Sequence, residues 1–365
     1  KEYSTFVVIP TILNNPQKVE ELVKKLEVYY LANKTENLYF ALLGDCTPSN
    51  QQVEEKDEKI IKAGIKQIDK LNEKYKDNNF PKFHFLYRER IWNEGEACYL
   101  GWERKRGILN QFNDFIKTGD NGNFKVNTIN QAKENNKLPK IKYIITLDAD
   151  TNLVLNSGLE LIGAMAHILN TPILNKNGTA VESGYALIQP RVGIDLLISN
   201  KTWFTKIYAG NGGTDPYSNA ISDTYQDNFK EGIFTGKGIY DLDVFYEIFK
   251  NTIPDNTVLS HDLLEGSYLK CGLASDIELM DGYPSTYQTF KMRLSRWIRG
   301  DWQILGWLQK RVLDRHKEKR ENPLNKLSKY KILDNLFRSV LEIASVLLIL
   351  STIVISMWKK VNIIS

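Results

Sequence analysis

The chain has 365 residues, 42% hydrophobic and 25% charged, globular values that allow one large α/β domain or two ordinary ones. Its 48 basic and 44 acidic residues leave a charge of +4, and no basic stripe with interleaved aromatics is present, so nucleic acid is not an expected partner. Three widely spaced cysteines (Cys46, Cys98, Cys271) and four scattered histidines exclude a disulfide framework and a zinc pattern. The cysteines read as buried small hydrophobes in a reducing compartment.

Taken in order, Tyr3–Ile9 is an apolar strand closed by Pro10. Lys1 is not an initiator and a strand begins almost at once, which reads as a piece of a longer chain without a signal peptide. Val19, Leu22, Val23, Leu26 and Tyr30 recur at helical spacing behind Asn15-Pro16. Leu38–Leu43 is a second strand, ending at Gly44-Asp45. Ile61, Ile65, Ile68, Leu71 and Tyr75 mark a charged surface helix, and Phe83–Tyr87 a third strand. Residues 102–116 read as a helix and the polar stretch Lys117 to Lys140 as an exposed insertion. Lys142–Leu147 and Tyr185–Gln189 are further strands. Strand and helix alternate, which predicts a mainly parallel sheet covered on both faces.

At the end of the fourth strand stands Thr146-Leu-Asp-Ala-Asp-Thr151. Carboxylates at i and i+2 point to one side of a strand, at the sheet edge where ligands bind. Mg²⁺ takes one or two such carboxylates and completes its shell with water and phosphates. Asp148 and Asp150 therefore suit a metal–diphosphate, although an Asp-x-Asp also serves as a solvated turn cap.

The second half is denser in glycine, aromatics and acids, like the lining of a sugar cleft. Its blocks include Asn211 to Tyr217, Ser222 to Asp227, Phe234 to Asp241, Ser260 to Gly266 and Arg293 to Trp302. Gly232 to Gly238 fails as a phosphate loop: its glycines are one residue too close and no Ser or Thr follows Lys237. A phosphoaspartyl site at Asp148 would want Thr or Val where Asn152 stands, and no Gly-x-Gly-x-x-Gly follows a strand. From Ile343 to Trp358 the chain is uncharged; about 20 helical residues cross a bilayer core. The alternative is a buried core helix. Lys319, Arg320, Lys326, Lys329, Lys331 and Arg338 precede it and Lys359-Lys360 follow, a bias that sets the preceding residues on the cytoplasmic side.

The order Pro10, Asp45, Lys105-Arg-Gly, Asp148-Ala-Asp150, Phe234-x-Gly-x-Gly238, Asp262, Arg296-Trp297 resembles the membrane-bound inverting glycosyltransferases that include cellulose, chitin and hyaluronan synthases. His261 stands where that family usually has Glu, and Arg293 where it has Gln. Arg88 to Asn93, Gly101 to Gly107, Asp215-Pro-Tyr217, Ser222 to Asp227, Phe234 to Asp241, Leu259 to Gly266 and Arg296 to Gln303 are similar to the glycosyltransferase domain of cyclic β-1,2-glucan synthases. The resemblance covers nearly the whole chain.

It implies a GT-A α/β fold over 1–330, with a nucleotide-sugar half at about 1–190 and an acceptor half at 191–330. An interfacial and transmembrane helix would occupy 331–365, with further membrane and phosphorylase-like regions outside this sequence. It also implies inverting, Mg²⁺- or Mn²⁺-dependent transfer from UDP-glucose to a growing β-1,2-glucan at the bacterial inner membrane, on its cytoplasmic side. The other readings are a synthase of another β-linked polysaccharide and a silent nucleotide-sugar-binding subunit. Asp262 would be the general base, with helix capping by Ser260 or Asp262 ahead of Leu263–Lys270 as its plainer role. Pro10, Thr11 and Asp45 would hold uracil and ribose. Asp150 would hold the cation, with Asp148 on the ribose or on the metal through water. Lys105, Arg296 and Arg299 would face the diphosphate; pairing with Asp301 or lipid is the alternative for the arginines. Trp297 and Trp302 would stack on the acceptor, and Phe234 and Gly236 would let backbone approach it. Asp227, Glu231 and Asp241 are further candidates for sugar hydroxyls. Arg293, Arg296 and Arg299 share a helix face, with Gly300 a potential break.

Overall fold

The computed structural model describes residues 2–76, 80–134, 136–209, 223–258 and 261–364, without the side chains of 196–197 and 359–364. Nine strands form one sheet: β1 (Ser4–Leu13), β2 (Leu38–Cys46), β3 (Phe83–Arg88), β4 (Phe124–Asn127), β5 (Ile141–Thr146), β6 (Asn152–Leu153), β7 (Leu187–Ile194), β8 (Gly238–Asp241) and β9 (Cys271–Asp281). Their order is β4-β3-β2-β1-β5-β8-β7-β9-β6. The pairs β1–β2, β2–β3, β1–β5 and β7–β9 are parallel. β4, β8 and β6 run against their neighbours, so the sheet is mixed around a parallel core.

The helices that matter below are α1 (Pro16–Ala32), α2 (Glu55–Lys74), α3 (Arg104–Thr118), α4 (Thr128–Lys133), α5 (Ser157–Ala166), α6 (Leu242–Phe249), α7 (Asp262–Tyr268), α8 (Tyr287–Gln303) and α9 (Lys326–Ile364). In β1, Phe6 and Val8 pack with Ile108 and Phe112 of α3, while Val7 and Ile9 pack with Val19 and Leu22 of α1. Burial on both faces is why this strand reads as an unbroken apolar run. α1 starts as its sequence predicts, with Asn15 accepting from Lys18 N at 2.8 Å and Pro16 in the first turn.

Four expectations are corrected. β1 does not stop at Pro10 but runs on to Leu13 beside β2. Val8 C=O accepts from Leu147 N on the β5 side, and Pro10, two residues on, faces that side after β5 has ended, so its missing N–H breaks no ladder bond. The polar stretch 117–140 is not a plain insertion: β4 pairs with β3 and α4 follows, burying Phe124 and Ile129. β8 and β9 lie in the half that shows little periodicity. α8 passes through Gly300 without a break.

All the chemistry gathers at one edge. β1, β2, β5 and β9 point their C-terminal ends there, bringing Thr11, Asp45, Asp148 and Asp281 together. β8 runs the other way, with Gly238 opposite Thr146, so Lys237 enters from the same edge. α9 packs on α8 and leaves the domain. Ile332 is buried, whereas Leu341, Ile343, Val346 and the apolar residues from Leu347 to Trp358 are exposed. Residues 326–358 make a helix long and apolar enough to cross a membrane.

Candidate active site

An open cleft of about 740 Å³ runs along this edge. Pro10, Thr11, Asp45, Lys105, Asp148, Asp150, Phe234, Asp262, Arg296, Trp297 and Arg299 all line it. At one end, Asp45 is buried and fixed. Arg88 donates to it from Nε (2.9 Å to Oδ1) and Nη2 (2.7 Å to Oδ2). Arg88, itself without exposed surface, also donates to the carbonyls of Trp102 (2.6 Å) and Arg104 (2.7 Å). One guanidinium thus ties the end of β2 to the start of α3. A β-carbon on Gly101 would come within 1.9 Å of Asp45 Oδ1, so this approach needs glycine.

The two carboxylates of the Asp-x-Asp motif differ. Lys105 Nζ donates to Asp148 Oδ1 at 2.5 Å and to Gly236 C=O at 2.9 Å. Lys237 Nζ stands 3.4 Å from Asp148 Oδ2 and 3.0 Å from Asp281 Oδ2. Burial alone would raise the Asp148 pKa, but the two ammonium groups outweigh it and hold the carboxyl well below its usual range. Burial would lower the pKa values of Lys105 and Lys237, but Asp148 with Asp262 at the first, and Asp148 with Asp281 at the second, overcome it and raise both. Asp150 is different. Its side chain is 50% exposed and Arg293, at 4.0 Å, is its partner among the described ion pairs. Burial, then the charges of Asp281 and Asp148, raise its pKa. An incompletely neutralised, open carboxylate suits a hard divalent cation, so the residues fit such an ion at Asp150. The oxygens of Asp148 face lysines instead.

At the other end, Asp262 opens α7 without capping it; His261 occupies the cap position and makes no side-chain cap bond. Ser260 lies outside the described residues. Asp262 Oδ1 is buried without a hydrogen-bond partner, facing Gly236, whose φ of +88° and space allow no ordinary side chain. A β-carbon there would meet both Asp262 oxygens at 3.0 Å. Beside it, His261 Nδ1 lies 2.9 Å from Glu265 Oε1 and 3.6 Å from Asp262 Oδ1. Donor atoms of these three residues fall within 4.8 Å of one another; the buried His261 Nδ1 stands at ion-pair distance from Glu265 and, like Asp262 Oδ1, is oriented so that it makes no hydrogen bond. On α8, Arg293 stacks over Trp297 at 5.1 Å and Arg338 of α9 approaches the same ring at 6.0 Å. Asp301 pairs with Arg338, not with Arg296 or Arg299.

Other expected contacts are not brought to the cleft. Asp241 is buried, caps α6 through Asp243 N and Val244 N, and pairs with Lys142 at 2.7 Å. Glu231 is buried against Lys331 of α9 at 2.8 Å. Asp227 is exposed on a short helix, outside the lining. Trp302 donates to Ser339 Oγ at 3.2 Å and braces α9 instead of lining the cleft. Asn211 to Tyr217, Ser222 and Leu259 lie outside the described residues. Two residues join the site without having been singled out for it, Lys237 and Asp281, and Arg293, read before only by its motif position and helix face, joins them. Asp281 has a legible signal, since it ends the alternating stretch Ile277-Glu-Leu-Met280 and precedes Gly282-Tyr-Pro284.

The chain matches no protein-family model. It is 39% identical over 341 residues, 93% of its length, to the cyclic β-(1,2)-glucan synthase NdvB of Rhizobium meliloti (strain 1021). The chain is a homologue of one segment of that synthase. It spans 12% of the synthase's length. Among solved structures, residues 1–349 of S. aureus TarS align over 92% of this chain and 70% of theirs, with 10% identity and a TM-score of 0.41. The galactosyltransferase LgtC aligns over 74% of this chain and 73% of its own, with 12% identity and a TM-score of 0.32.

Proposed function

We propose that this homologue of a cyclic β-(1,2)-glucan synthase segment is a GT-A-type, inverting glucosyltransferase unit that uses UDP-glucose and extends a β-1,2-glucan. The observation that carries this reading is the pairing, in one cleft, of an Asp-x-Asp edge rich in cations with a separate carboxylate, Asp262, whose buried Oδ1 accepts no hydrogen bond. The 39% identity to a cyclic β-(1,2)-glucan synthase supports the product class. Asp45, Pro10 and Thr11 would receive the nucleoside, with Asp45 held in place by Arg88. Lys105, Lys237, Arg293, Arg296 and Arg299 would surround the diphosphate, where guanidinium and ammonium groups offset the charge of the leaving group. Asp150 would hold a divalent cation, Mg²⁺ or Mn²⁺, which when bound supplies Lewis-acid neutralisation. Asp262 would take the proton from the acceptor hydroxyl as that oxygen bonds to the anomeric carbon. The anomeric C–O bond breaks in line, and its electron pair leaves with UDP. Trp297, between two guanidinium groups, would face the acceptor side.

The apolar run of α9 supports anchoring in the inner membrane, and the basic residues before it support a cytoplasmic active site. A positioned base contributes about 10²–10⁴-fold. Asp262→Asn should therefore abolish detectable UDP release from UDP-glucose in detergent, with Mg²⁺ or Mn²⁺ present, while UDP still binds. Turnover at the unsubstituted rate would refute the assignment of the base.

A further inference from the structure

Glu265 is a buried carboxylate on the first turns of α7, with 4% of its side chain exposed. Its ion-pair partner is His261, one turn earlier, and the imidazole is equally enclosed. A buried carboxylate left without a counter-charge is costly, and so is a buried imidazolium; each is tolerated here because the other stands at 2.9 Å. The second neighbour of the same imidazole nitrogen is Asp262 Oδ1 at 3.6 Å. Among the described residues, His261 is the cationic group within 4.0 Å of Asp262. Lys105, the other cation in the vicinity, spends its ammonium on Asp148 and on the Gly236 carbonyl.

We propose that His261, held as an imidazolium by Glu265, is a positioning residue that aims Asp262 at the acceptor hydroxyl. The inference rests on Asp262 being the general base. A carboxylate at the first position of a short helix, with one buried oxygen lacking a hydrogen bond, has little else to set its direction. Gly236 limits it on one side by proximity alone, because it offers no side chain. His261 supplies the electrostatic hold on the other. Glu265 sits at the fourth residue of the same helix, so the spacing of one helical turn builds the clamp into the sequence His261-Asp-Leu-Leu-Glu265.

The charges around His261 agree with this assignment. Burial would lower its pKa, but Glu265 first and Asp262 second overcome burial and raise it, with Lys105 of α3 opposing. Across the sheet, Tyr240 of β8 also faces Glu265, and its hydroxyl donates to Asn113 Oδ1 of α3 at 3.0 Å, so it does not compete for the carboxylate.

The test is the pH profile of kcat for sugar transfer by the membrane-embedded enzyme in detergent, with UDP-glucose as donor. His261→Gln keeps a polar group against Glu265 and removes the charge. Over the pH range where the parent keeps its imidazolium, kcat should fall about 10–100-fold, and the alkaline limb that the parent shows as His261 loses its proton should be absent. KM for UDP-glucose should stay unchanged. Glu265→Gln, which removes the main charge that raises the imidazole pKa, should move that limb to lower pH. A limb that stays in place in both variants, or a KM that rises in step with the fall in kcat, would overturn the proposal. Asp262→Asn run alongside separates the two assignments. If it is inactive while the limb does not move, only the role of His261 falls; if it still turns over, the base assignment falls and this one with it.

Discussion

At one end of the cleft Asp45 hangs from a strand and is gripped by a guanidinium with no exposed surface; at the other, Arg296 and Trp297 ride on α8, braced by the long helix α9. The strand-borne end takes its geometry from the β1–β2–β3 ladder and from Arg88, whose partners are the ends of neighbouring elements. The helix-borne end depends on side-chain pairs reaching across the chain. Lys331 joins Glu231, Arg338 joins Asp301, Ser339 accepts from Trp302, and Asp334 accepts from Tyr225. The first end is built into the fold. The second is held by a helix that also carries the apolar run.

The largest expected effect comes from breaking the strand-borne end. Arg88→Met leaves Asp45 buried and unpaired and strips two carbonyls of their donor. Breaking a buried pair from one side costs about 3–5 kcal/mol, a large part of a typical stability. Denaturant melts should show that loss, and UDP affinity should fall with it. A variant as stable as the parent would mean the guanidinium network is not what holds this end.

Glu231→Gln addresses the other end. Lys331 keeps the Gly232 carbonyl at 2.8 Å but loses its counter-charge in a buried site, at a cost of about 3 kcal/mol. Here sugar transfer should drop while UDP binding is retained. Equal losses in UDP binding and in transfer would erase the distinction between the two ends.

The same contrast explains what was legible beforehand. A strand announces itself by an unbroken apolar run, and its last polar residue is then at the ligand edge, which is how Asp45 and Asp148 stand out. The Asp262 and Arg296-Trp297 blocks were found through order and resemblance, because short helices with mixed faces leave little periodicity. Trp302 and Glu231 have the composition of cleft residues, yet their partners lie 37 and 100 residues away on α9. No local pattern encodes such pairings. Lys237 was read only as part of a failed phosphate loop; its use as a counter-ion to Asp148 and Asp281 depends on β8 running antiparallel, which strand propensity does not reveal.

The smallest effect is also the most specific, since it tests the α8–α9 brace through protons. Asp301 is buried beside Arg338, whose Nη2 lies 3.1 and 3.0 Å from its two oxygens. Burial pushes its pKa up to about 6, with Arg338 opposing. The folded state therefore holds this proton more tightly than the unfolded chain does. Its stabilising contribution is full below the ordinary carboxyl value and is lost as pH rises through about 6. Urea midpoints measured in detergent should carry this component, and Asp301→Asn, which cannot ionise, should flatten it. Arg338→Ala removes the opposing cation and should move the component to higher pH, while Arg88→Met, at the other end, should leave its position unchanged. If Arg338→Ala does not move it, the guanidinium is not close to the carboxylate in the membrane-bound enzyme. The helix-borne end would then be braced by the Lys331–Glu231, Trp302–Ser339 and Tyr225–Asp334 pairs.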